Sequence, residues 1–114
     1  MLYKGSCHCG NIAFEIEGDL HSVMECNCSI CGRLGALRWF VNYDQVKFST
    51  PESNLSTYQF GKKRIHHHFC AKCGCAPLGS GTHNDVKMAS INVRCLEDVD
   101  LSALKIKQVD GRSL

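Results

Sequence analysis

Seven of the nine cysteines in this chain fall into three short clusters, Cys7-x-Cys9, Cys26-x-Cys28-x-x-Cys31 and Cys70-x-x-Cys73. Two cysteines separated by one or two residues on a tight turn can aim both sulfurs at a point about 2.3 Å away, the zinc–thiolate distance. A disulfide across so short a loop is strained, because bonded cysteines favour Cα atoms roughly 5.5–6 Å apart. The clusters therefore read as metal ligands. Two four-ligand sites need eight donors and the clusters supply seven, so the expected division is one closed site and one three-cysteine site with a vacant position. An open position on zinc is where chemistry takes place.

The remaining composition narrows the setting. A chain of 114 residues makes one domain, residues 1–114, burying roughly 60% of its unfolded surface or a little more. Its beginning, Met1-Leu2-Tyr3-Lys4-Gly5, has no apolar run of signal-peptide length, and no stretch reaches the length of a membrane span. Nine cysteines without a secretory signal predict a cytoplasmic protein whose thiols stay reduced or bind metal. The formal net charge of +2 is too small to argue for nucleic acid. Two zinc ions on seven thiolates would carry that charge to about −1.

Most of the chain reads as β. Asn11 to Glu17 largely alternates, with Ile12, Phe14 and Ile16 on one face. Further strands are predicted over His21–Cys26, Ala36–Val41, Gln45–Ser49, Leu55–Phe60, Ile65–Phe69 and Lys87–Val93. One short helical turn is expected over Leu96–Leu104, capped by Asp98 or Asp100. The fold class is thus mostly β, a single compact zinc-bound domain.

Cys7-His8-Cys9-Gly10 and Cys70-Ala71-Lys72-Cys73-Gly74 both place glycine directly after the second cysteine, the form of a zinc knuckle. Pairing them gives a four-cysteine structural site of Cys7, Cys9, Cys70 and Cys73. Cys26, Cys28 and Cys31 supply three thiolates within six residues, a tripod for one face of a second zinc.

The order Gly5-x-Cys7-His8-Cys9-Gly10, Cys26-x-Cys28-Ser29-x-Cys31, Phe69-Cys70-x-x-Cys73-Gly74 resembles the glutathione-dependent formaldehyde-activating enzyme / centromere protein V domain. The stretch Ile91 to Leu96, followed by Asp100-Leu101 and Asp110-Gly111-Arg112, is similar too. The resemblance implies two β-sheets meeting at a zinc-bearing edge, with a structural zinc on Cys7, Cys9, Cys70 and Cys73. A second, catalytic-type zinc would lie on Cys26, Cys28 and Cys31. It implies carbon–sulfur lyase chemistry: glutathione adding to formaldehyde to give S-hydroxymethylglutathione, or the reverse.

That chemistry is physically reasonable. A zinc held by three thiolates can take a substrate thiol as its fourth ligand and favour the nucleophilic thiolate. Arg33, Arg38, Lys62, Lys63 and Arg64 are the cations available to offset charge or to hold a carboxylate. Arg33, two residues from Cys31, is the first candidate for binding the thiol substrate. His66 and His68 should face one way along a strand and His67 the other, so the three cannot chelate together, although one can lie over the open zinc. Cys75 is either a fourth ligand that closes the tripod or a small buried residue before Pro77. Trp39 and Phe40 are core or pocket wall. Three classes follow: a zinc enzyme, a non-catalytic zinc-stabilised module that carries a thiol or docks a protein, and a redox-responsive zinc protein.

Overall fold

The described residues form ten strands in two sheets. The structure, a computed structural model, describes residues 1–113. In chain order the elements are β1 (Leu2–Ser6), β2 (Ala13–Glu17), β3 (Ser22–Cys26), α1 (Ser29–Leu34), β4 (Arg38–Asn42) and β5 (Val46–Phe48). They continue with β6 (Leu55–Tyr58), β7 (Ile65–Cys70), β8 (Leu78–His83), β9 (Val86–Asn92) and β10 (Lys105–Val109). Strands β1, β2 and β5 make a small sheet in that order. The large sheet runs β10-β3-β4-β9-β8-β7-β6. All its pairings are antiparallel except β10 with β3, where Lys105 lies opposite Ser22 and Val109 opposite Cys26.

Alternation assigns the two faces of the large sheet. Trp39 and Val41 of β4, with Ala89 and Ile91 of β9, point into a buried cluster shared with Ile12, Phe14 and Ile16. The intervening residues Arg38, Phe40, Met88 and Ser90 point the other way. One face therefore makes the core and the other is left to form a site. Burial is tight at Gly5, where a Cβ would fall 2.8 Å from the Phe14 ring and 2.9 Å from Leu96; only glycine lets β1 approach so closely.

Mostly β architecture in two sheets is as expected, and all seven predicted strands are present. Three more, β1, β8 and β10, were not anticipated. The helical expectation needs correction. Only Leu101–Ala103 of the predicted 96–104 segment is helical, a single 3-10 turn in which the Asp100 side chain accepts from Ser102 N. The α-helix lies instead at Ser29–Leu34, opened by Cys28, whose side chain accepts from Cys31 N, and closed by Gly35 at φ 65°. Among the described residues no helix is long and apolar enough to cross a membrane.

Candidate metal centres and the cavity at the three-cysteine cluster

The first cysteine cluster is assembled by two loops. The β1–β2 hairpin loop folds back on itself through Cys7 N donating to Ile12 O at 2.9 Å, and Gly10 turns it with φ +81°. After β7, Gly74 does the same with φ +82° and donates to Cys70 O at 2.8 Å. Both are left-handed conformations that a side chain disfavours. The result is four sulfurs, Cys7, Cys9, Cys70 and Cys73, all within 4.8 Å of one another. Cys9 Sγ stands 3.8 Å from Cys7 Sγ and 3.6 Å from Cys70 Sγ. Thiolates 2.3 Å from a tetrahedral ion stand about 3.8 Å apart, so this donor set fits zinc.

Amides already point at these sulfurs. Ile12 N donates to Cys7 Sγ at 3.3 Å, and Cys73 N to Cys70 Sγ at 3.5 Å. The Cys73 thiol is lowered to about 5 by the backbone amides of Cys75 and Cys9, against a smaller opposing effect of burial. At Cys9 the Asn11 amide lowers the thiol, but burial and the neighbouring thiols Cys70, Cys7 and Cys73 carry it up to about 11. One sulfur thus holds charge readily while another keeps its proton. A cation completes the deprotonation, and metal uptake releases protons.

The second cluster is local. Cys26 ends β3, Cys28 opens α1 and Cys31 lies in its first turn, with the three sulfurs within 4.8 Å of one another. Cys28 N donates to Cys26 Sγ at 3.4 Å and Cys31 N to Cys28 Sγ at 3.5 Å. Burial pushes the Cys28 thiol up, but the Cys31 amide and the Cys31 and Cys26 thiols leave it below its ordinary value. Cys31 is pushed up to about 11 by burial and by Cys28. Among the described residues no fourth Cys, His, Asp or Glu joins this group, and Cys75 belongs to neither cluster. Cys75 instead packs against the core, its carbonyl accepting from Cys70 N at 2.9 Å. Cys95 is half-buried beside it, its thiol raised to about 11 by burial and by Cys75.

The tripod opens on a cavity of about 570 Å³ on the outer face of the large sheet, lined by Cys26, Cys28, Cys31, Arg38, His67 and Phe40 among others. Arg38 is buried, donates from Nη1 to Ser90 O at 3.3 Å, and lies close enough to Cys31 for that thiol to support its charge against burial. Arg33 is placed elsewhere: it sits on the last turn of α1, donating to Ser29 O at 2.8 Å, and is not a lining residue. Lys62, Lys63 and Arg64 occupy the exposed turn between β6 and β7, with Lys63 at φ 56°. The histidine alternation is as expected. His66 and His68 stack with ring centroids 6.1 Å apart, while His67 faces the cavity. His68 is engaged on both nitrogens, Nδ1 with Thr57 Oγ1 at 2.9 Å and Nε2 with Ser80 Oγ at 2.8 Å, and ties three strands together. His67 Nδ1 is buried with no hydrogen-bond partner. Burial, aided by Arg38 and His66, holds its ring below the usual histidine range, so it is neutral at pH 7.

Sequence reasoning includes Asp110-Gly111-Arg112 in a resemblance but gives it no role behind the tripod, and does not single out Asn27. Asn27 Nδ2 donates to Asp110 Oδ1 at 2.9 Å, and Arg112 N donates to Asn27 Oδ1 at 3.0 Å. This clasp lays Gly111 directly on the sulfurs: a Cβ there would fall 2.5 Å from Cys26 Sγ and 3.0 Å from Cys28 Cβ. Gly111→Ala must therefore push Cys26 out of place. Overpacking of this kind costs about 1–3 kcal/mol, so chelator competition should show the metal affinity of the three-cysteine cluster falling roughly 5- to 150-fold. The four-cysteine cluster should be unaffected. Unchanged affinity at both would show that Gly111 exerts no control over the tripod.

Two comparisons bear on this arrangement. The family described as "Glutathione-dependent formaldehyde-activating enzyme" matches residues 2–108 of this chain. The crystal structure of a Rhodobacter sphaeroides protein, 29% identical, superposes with a TM-score of 0.78 and covers 91% of this chain and 99% of its own.

Proposed function

Because this chain belongs to the glutathione-dependent formaldehyde-activating enzyme family, we propose that it makes or breaks the carbon–sulfur bond between a thiol and an aldehyde. On this reading residues 1–114 are one domain of the family, working in a reducing compartment such as the cytoplasm. Cys7, Cys9, Cys70 and Cys73 would hold a structural zinc, and Cys26, Cys28 and Cys31 a second zinc with a free position. Glutathione and formaldehyde, the pair in the family's name, are one instance of the substrate classes. The observation that carries the reading is the three-sulfur cluster, joined by no fourth Cys, His, Asp or Glu among the described residues and opening on a cavity.

Bound at the tripod, zinc supplies a position for a substrate sulfur and favours its thiolate at neutral pH. The chain's own residues do the rest. In the forward direction the sulfur lone pair forms a bond to the carbonyl carbon, the C=O π pair moves to oxygen, and that oxygen takes one proton to give the hemithioacetal hydroxyl. Arg38 places a fixed positive charge beside Cys31, offsetting the excess negative charge of three thiolates and a substrate sulfur. His67, neutral and with Nδ1 unpartnered, is the group suited to hold or pass the proton at the hydroxyl oxygen.

The test is a thiol titration of the zinc-loaded protein followed by exchange-rate measurements. Binding should release about one proton per chain, and hemithioacetal exchange should run faster with loaded protein than with protein stripped of metal. Equal exchange rates with thiol binding intact would leave thiol carriage without turnover. Absence of thiol binding would remove both readings.

A further inference from the structure

Phe40, Phe60 and Ile65 are 50%, 44% and 48% exposed, and all three line the cavity that holds the tripod. Single exposed apolar residues need no explanation, but a contiguous set around one concavity marks a binding surface. Met24, Ile30 and Met88 continue the same apolar lining. Phe60 is held in place from both sides, stacked on Tyr58 with centroids 5.9 Å apart and on His67 at 5.7 Å. That part of the wall is thus packed against neighbouring rings.

Charge is scarce by comparison. Among the described residues no Asp or Glu lines the cavity, and Arg38 is the sole Lys or Arg there. That guanidinium already donates to Ser90 O and sits beside Cys31. Inside the cavity, a peptide thiol with an α-ammonium group and two carboxylates would find no carboxylate for its cation and only Arg38 for its anions. Arg64 and Lys87 lie in an adjoining concavity that shares Ser80, Gly81 and Thr82. Stripping water from unpaired charges is costly. The 570 Å³ available falls within the ordinary range for small-molecule sites, so lining chemistry, not size, decides the occupant.

Resting on the reading of the tripod as a thiol-accepting centre, we infer that the thiol this cavity takes is an alkyl or aryl thiol with an uncharged, apolar body. Its sulfur meets the tripod, and its hydrocarbon part covers Phe40, Phe60 and Ile65. Glutathione is disfavoured by the lining.

Calorimetric titration of zinc-loaded protein with ethanethiol, butanethiol, hexanethiol, phenylmethanethiol and glutathione, in two buffers of different ionisation enthalpy, tests this. Proton release should be the same for every thiol that binds. Affinity should rise by up to about fourfold per methylene buried, making hexanethiol at least tenfold tighter than ethanethiol and tighter than glutathione. Phe60→Ala should flatten that gain several-fold, with zinc content unchanged. Flat affinities along the series with proton release intact would overturn the inference alone, as would glutathione binding tightest. The same flat series together with a protein dimer that hexanethiol leaves intact in sedimentation would show that a second copy covers the wall. No binding by any thiol, ethanethiol included, would remove the thiol-accepting reading and this inference with it.

Discussion

Cys73→Ser should leave little folded, soluble protein. The four-cysteine cluster joins Cys9 to Cys70 across 61 positions of sequence, so whatever holds these sulfurs together also closes most of the fold. Structural zinc in small domains contributes apparent binding energies of roughly 10–16 kcal/mol. Whole domains have net stabilities of about 5–15 kcal/mol. Removing one ligand therefore threatens the entire margin. Cys73 itself is only half-buried, and Cys→Ser changes little volume, so a large effect can come only from the lost metal. Ala71→Ser, an exposed change in the same loop, is the control and should melt like the parent. Circular dichroism melts of the three proteins decide the matter; a Cys73→Ser variant that unfolds with the parent would contradict a structural role for this cluster.

Cys28→Ser should behave in the opposite way, keeping the fold and losing the function. Its side chain caps α1 by accepting from Cys31 N, a task serine performs well. The cluster is contained within six residues, so its metal closes no long loop. Elemental analysis should fall from about two zinc ions per chain to one, with thermal stability largely kept. Thiol-linked proton release should vanish, and hemithioacetal exchange should drop to the uncatalysed rate. Loss of both ions would mean that the seven cysteines are partitioned differently. Exchange at the parent's rate would end the enzymatic reading.

The contrast between these variants reflects what was legible in the sequence. Donor spacing is local, so both clusters could be read directly, and the near-alternation of Asn11 to Glu17 exposed the strand character of β2. The missed strands lack that alternation. In β1 the one buried residue is Gly5, which carries no side chain to signal it. In β8, Leu78-Gly-Ser-Gly-Thr-His, glycines stand where a Cβ would fall 3.2 Å from His66 O or 2.9 Å from Ile65 Cδ1. Strand β10 is an edge strand, exposed at four of its five positions. The six-residue α1 contains Gly32 and spans too little chain for a 3.6 period to register. At the site, the parts that depend on which strands become neighbours stayed hidden. Arg38 was one cation among five until β4 was placed beside Cys31. The role of Gly111 and the Asn27–Asp110 clasp came to light only once β10 was laid parallel to β3.

That parallel pairing also orders events at the ribosome. Asn27 and Asp110 are 83 positions apart, so Cys26, Cys28 and Cys31 emerge early and wait through most of translation before their backing strand exists. At about 5–20 residues per second, the four-cysteine centre can be completed once Cys73 is out, seconds before the tripod can be braced. A nascent chain should therefore complete its four-cysteine cluster before the backing of its three-cysteine cluster exists, with three partly exposed thiols vulnerable to oxidation in the interval unless a metal ion is already on them.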